Sequence, residues 1–102
     1  MAVGAGLDTL EALYHELVNS MNQIDGMITS VDQKFGAARA EWKGQGEADF
    51  ETQWAQDTKN LTLMCQHFAA AARSLADQHN SFAYAAREQG ASELNVNVQS
   101  PR

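Results

Sequence analysis

Apolar side chains recur through the first half of the chain at alternating intervals of three and four: Leu7, Leu10, Tyr14, Leu17, Met21, Ile24, Ile28, Val31, Phe35, Ala38 and Trp42. Such a stripe occupies one side of an α-helix. The second half repeats the rhythm with Phe50, Trp54, Asp57, Leu61, Met64, Phe68, Ala71, Leu75, Gln78, Phe82 and Ala85, and only Asp57 and Gln78 break its apolar character. No proline precedes Pro101, so nothing in either stretch removes a helical hydrogen bond. Asp8 followed by Glu11 reads as an N-cap with a reciprocal acid, which places a helix start near residue 8. Gly44-Gln45-Gly46 interrupts the pattern, and Glu47, Asp49 and Glu51 then supply negative charge suited to the N-terminus of a second helix.

The expectation is an all-α fold: an antiparallel helix-turn-helix hairpin over residues 1–90, with helices at about 8–42 and 47–89 and a turn at 43–46. Gly90 is a candidate left-handed C-terminal residue, and 91–102 reads as a flexible C-terminal tail. Folding back at Gly46 sets Leu7 against Ala85, Leu17 against Leu75, Ile24 against Phe68, Ala38 against Trp54 and Trp42 against Phe50. In the Leu7–Ala85 and Ala38–Trp54 pairs a large residue opposes a small one, as interdigitated packing requires. In the same register Tyr14 shares a layer with Gln78, which suggests a hydrogen bond. Asp57 falls opposite Phe35, where Lys34 or Lys59 could relieve it.

Apolar residues remain outside this seam. Leu13, Val18 and Met27 on the first helix, and Cys65, Ala69 and Ala72 beside the second stripe, need a covering surface. Two helices enclose no core, and a helix of about 35 residues at ~1.5 Å per residue is about 50 Å long. A second hairpin would bury these six residues as a dimer interface and complete a four-helix bundle.

Composition narrows the functional classes. Thirteen Asp+Glu against seven Lys+Arg give a formal charge of −6, which argues against binding nucleic acid through its phosphates and against a basic membrane-surface helix. The longest apolar run, Phe68 to Ala72, is far short of the roughly 20 residues of a membrane span. The first residues lack the basic and apolar regions of a Sec signal peptide. The single Cys65 excludes an intrachain disulfide.

Catalytic constellations are missing from the pattern. Glu11 and His15 have the spacing of a helical metal pair, but no second pair supplies the remaining ligands. Cys65 and His67 lie on different sides of a helix and cannot act as nucleophile and base together. The Gly44–Gly46 segment follows no strand and is not a phosphate loop. Neither an enzyme nor a cofactor is expected.

Two local motifs point elsewhere. Trp42-Lys43-Gly44 stands midway between the helical stretches with Phe50 following, and Tyr84-Ala85-Ala86-Arg87-Glu88 stands near the end of the second. Together with the length of 102 residues these resemble the WXG family of type VII (ESX) secretion substrates, nearest the signal-bearing, culture-filtrate-type member of actinobacterial pairs. The resemblance covers the whole chain. It implies that Trp42 and Gly44 form the turn motif, and that Tyr84 and Glu88 form a Y-x-x-x-E export signal. It further implies that Leu94 and Val98 dock on a membrane-bound FtsK/SpoIIIE-type ATPase. The implied partner is a second WXG-family hairpin, preferably in a heterodimer, with a homodimer as the alternative. The implied destination is outside the cell, by type VII export without a Sec signal, after a cytoplasmic stage. A cytosolic helical adaptor or chaperone with no secretory role is the competing reading.

Overall fold

The computed structural model describes residues 3–86 and 93–102, with side chains from 6 to 85 and from 93 to 102. Two helices make up the fold: α1, Val3–Ala38, and α2, Gln45–Ala86. They pack antiparallel along their length into a rod of 63 × 21 × 17 Å. Its radius of gyration of 19.3 Å compares with about 13 Å for a globular chain of this size. Among the described residues no helix is long and apolar enough to cross a membrane.

The hairpin agrees with the periodicity, but its boundaries differ. α1 begins at Val3 rather than near Asp8, because Leu7 is buried and extends the packed face by a turn beyond the candidate cap. It ends at Ala38 rather than Trp42. Glu41 N–H then bonds to the Ala38 carbonyl at 3.0 Å and Trp42 N–H to the same oxygen at 2.8 Å, tightening the chain as it turns. α2 begins at Gln45, two residues before the expected start. The expected end near 89 and the Gly90 cap lie outside the described residues.

The seam also differs from the expected one. Buried positions on α1 are Leu7, Tyr14, Met21 and Ile28, a strict seven-residue repeat. On α2 they are Cys65, Ala69, Ala72, Ala76 and His79, one residue round the helix from the expected stripe. Met64, Ala71, Gln78, Phe82 and Ala85 are exposed instead. The reason is size. Small side chains at the centre of α2 let the backbones approach and receive Tyr14 and Met21, whereas Phe68 and Leu75 fit only at the margin of the contact. Cys65, Ala69 and Ala72, expected on a dimer interface, are therefore sealed within a single chain. Val18, also expected there, is half-buried against both core clusters of the same chain.

The tail departs furthest from expectation. Residues 93–102 form neither helix nor strand, yet they lie along the hairpin rather than apart from it. Leu94 and Val98 pack on the core cluster of Tyr14, Ala72 and Ala76, and Val98 also touches the cluster of Met21, Cys65 and Ala69.

Candidate functional site

At the closed end of the rod the sequence concentrates aromatic residues, and the loop between α1 and α2 gathers them. Phe35 and Phe50 lie 4.7 Å apart by ring centroid, Trp42 is 5.8 Å from Phe50 and 6.4 Å from Phe35, and Trp54 stacks on Phe50 at 6.3 Å. Phe35 thus faces Phe50 rather than Asp57, whose carboxylate accepts instead from Gln53 Nε2 at 2.9 Å. Trp54 Nε1 donates to Asp32 Oδ1 at 2.6 Å. Arg39 reaches from the turn to Glu47 at 2.8 Å and Glu51 at 3.1 Å while lying 5.1 Å above the Phe35 ring. An open apolar hollow of about 260 Å³ remains between Val31, Lys34, Phe35, Ala38, Trp42 and Phe50.

Gly44 makes this turn possible. Its φ is +115°, a region that costs a side chain dearly, and its carbonyl accepts from Ala48 N–H at 3.2 Å to start α2. Gly46 has a different role. A Cβ there would stand 3.5 Å from the Trp42 indole, so the ring lies against the first turn of α2. Trp42 keeps 41% of its surface exposed, which leaves one side of the indole available at the tip.

Tyr84 lies at the other end of the rod, 88% exposed. Glu88, its expected companion, lies outside the described residues. Trp42 and Tyr84 are thus separated by the length of α2, and one chain does not bring them together.

Between the ends, one side of the hairpin carries the tail. Asn80 grips Leu94 with both ends of its amide: Nδ2 donates to the Leu94 carbonyl and Oδ1 accepts from the Leu94 N–H, each at 2.9 Å. Tyr14 Oη donates to the Asn95 carbonyl at 3.3 Å, which replaces the expected bond to Gln78. Further along, Arg73 donates to the Val98 carbonyl at 2.9 Å. Gln66 donates to the Arg102 carbonyl at 3.2 Å, and the Arg102 guanidinium bonds Asp25 at 2.8 Å and Thr29 at 3.1 Å.

A match of periods underlies this arrangement. Asn80, Arg73 and Gln66 are seven apart on α2, while Leu94, Val98 and Arg102 are four apart in the tail. Seven helical residues rise about 10.5 Å. Four residues of fully extended chain reach up to roughly 14 Å, and the bend in which Asn97 N–H bonds to Asn95 Oδ1 takes up the slack. Sequence reading found Leu94 and Val98 but not the polar ladder that holds them; its seven-residue spacing beside the seam was the available signal.

Beneath the tail lies a buried polar cluster that the sequence did not reveal. His79 is fully buried, with Nε2 2.9 Å from Glu11 Oε1 and Nδ1 2.9 Å from Asn80 Oδ1. Since Asn80 Oδ1 is fixed as an acceptor by Leu94 N–H, Nδ1 of the ring donates to it. Cys65 Sγ donates to the Met21 carbonyl at 3.5 Å, and burial, followed by the nearby Asp25 carboxylate, holds its pKa above the ordinary thiol value against an opposing pull from Arg102. The thiol is an inert core group. Among the described residues no three His, Cys, Asp or Glu side chains gather as a metal site.

The side away from the tail is open and apolar. Leu10, Leu17, Ile24 and Val31 line it from α1, and Met64, Phe68, Leu75 and Phe82 from α2, all exposed or only half-buried. Leu13, at 51% exposure, and Met27, at 46%, flank it.

Comparison with known proteins gives no matching family model, no matching curated protein and no matching solved structure.

Proposed function

We propose that this chain is a substrate of a type VII (ESX) secretion system, exported as a folded helical dimer and recognised by an FtsK/SpoIIIE-type ATPase. One observation carries the reading: Trp42 and Gly44 occupy the turn of a long helical hairpin, with Gly44 in a positive-φ conformation, while Tyr84 projects into solvent from the opposite end. Positive φ favours glycine at any such reversal, so the support comes from the combination: Trp42 two residues before Gly44, packed on Phe50, with Tyr84 exposed at the far end of the same hairpin.

The open face opposite the tail is where a second hairpin of the same family would complete a four-helix bundle. Phe82 at 51% and Met64 at 44% exposure are costly to leave in water on a rod this thin. The preferred partner is a different hairpin, and a second copy is the alternative. An antiparallel pairing would set the Trp42 turn of one hairpin beside the Tyr84 end of the other, and so assemble a recognition surface that one chain lacks.

The test is export. Tyr84→Ala and Glu88→Ala each abolish appearance of the protein in culture supernatant on this reading, without changing its level in the cell. Export unaffected by both substitutions defeats it. A specific observation favours the competing reading of a cytosolic adaptor or chaperone: Leu94 and Val98, which an export ATPase would grip, are packed on the hairpin. Failure of the unaltered protein to leave the cell would support that alternative.

A further inference from the structure

The hydrogen bonds that hold the tail are directed mostly at its backbone. Asn80, Tyr14 and Arg73 bond to main-chain groups of Leu94, Asn95 and Val98, and among the described residues Arg102 alone is held to the hairpin by a side-chain hydrogen bond of its own. The apolar side chains contribute by filling the groove between α1 and α2, where Val98 bridges the two core clusters. The segment is ordered by a few separate contacts and has no secondary structure of its own. Such a segment lifts off at far less cost than unfolding the hairpin beneath it.

We propose that residues 94–102 are a displaceable strap, which conceals Leu94 and Val98 in the isolated chain and offers them only when it lifts. The inference rests on the export reading for its purpose, though not for its geometry. Leu94 and Val98 cannot fill the hairpin groove and a receptor pocket at once, so a receptor's apparent affinity is reduced by the fraction of time the strap is down. The hairpin side of the contact is the control point. Asp25 and Arg73 hold the strap but belong to neither the turn motif, the export motif nor the tail.

That separation supplies the experiment. An antibody raised against a synthetic peptide of residues 93–102 serves as the probe, and its affinity is measured for the free peptide, the full chain and the full chain carrying Asp25→Asn with Arg73→Met. Methionine keeps the apolar stem of Arg73 while removing the donor. The strap predicts binding to the unaltered chain about tenfold or more weaker than to the peptide, largely restored in the double variant. It also predicts slow hydrogen exchange at the Leu94 amide, which Asn80 Oδ1 protects, and faster exchange in the variant. Equal antibody affinity for peptide and unaltered chain, with Leu94 exchanging at the peptide rate, overturns the strap whatever happens in secretion. Its regulatory purpose is tested by the amount of double variant exported, which should exceed that of the unaltered chain; no difference, with masking observed, overturns that purpose. Export indifferent to Leu94→Ala and Val98→Ala overturns the tail's part in the export reading instead, and the binding arm remains decisive for the strap.

Discussion

His79 Nε2 lies 2.9 Å from Glu11 Oε1, joining the two helices toward the open end of the hairpin through a ring with no exposed surface. The pair is the polar counterpart of the aromatic cluster at the closed end. Glu11→Ala leaves the buried ring nitrogen without its partner and should cost about 1–3 kcal/mol. Replacing both residues by leucine should recover a large part of that loss. Urea denaturation of Glu11→Leu, His79→Leu and the double variant measures the coupling.

The placement of the seam separates two neighbouring alanines. Ala72 is fully buried against the Tyr14 layer, whereas Ala71 is exposed. Ala72→Leu forces the helices apart and should cost about 1–3 kcal/mol. Ala71→Leu should fall within about 0.5 kcal/mol of the unaltered chain. Thermal unfolding of the two variants under identical conditions gives the comparison, and a reversed order would restore the seam expected from the sequence.

The two turn glycines should also behave differently. Gly44→Ala puts a side chain at φ +115° and should destabilise by about 1–3 kcal/mol although space for the methyl is open. Gly46→Ala meets the Trp42 ring at ordinary contact distance in a helical conformation, so its effect should be near zero or slightly favourable. Chemical denaturation resolves the difference, and tryptophan fluorescence in a Trp54→Phe background reports whether Trp42 moves.

Cys65 gives the stability a dependence on alkaline pH. Burial first, and then Asp25, raise the thiol pKa in the folded chain, while Arg102 works in the opposite direction. Unfolding releases the thiol to ionise at its ordinary value. The contribution of Cys65 is therefore constant at neutral and acidic pH and turns destabilising as pH rises past about 8.5, the ordinary thiol pKa. Cys65→Ala should flatten the alkaline fall in midpoint relative to the unaltered chain. Reaction of the native thiol with a disulfide reagent should be slow until denaturant opens the seam.

The side of α1 that packs was legible in its three-and-four stripe, but only the Leu7, Tyr14, Met21 and Ile28 line is buried, while the parallel line of Leu10, Leu17, Ile24 and Val31 stays half-buried at the margin. The hairpin and the place of its turn followed, since two stretches without proline, separated by Gly44-Gln45-Gly46, have few ways to bury two stripes. On α2 the same logic misled, because several kinds of side chain sit close to the contact. Phe68 and Leu75 carry more apolar surface than Ala72 and Ala76, but only the small residues admit Tyr14 to the centre. Hydrophobicity marks which side of a helix packs; volume complementarity with the other helix selects the line of contact.

Local periodicity therefore determined that this chain makes two long helices joined at a glycine turn, since those features depend on neighbours a few residues apart. Tertiary structure decided which residues form the seam, that His79 meets Glu11 across 68 positions, and that the tail lies against the hairpin instead of leaving it. Those outcomes come from distances between residues remote in sequence. Asn80 holds Leu94 because the ladder on α2 and the spacing in the tail happen to advance together along the rod, and no single segment carries both halves of that match.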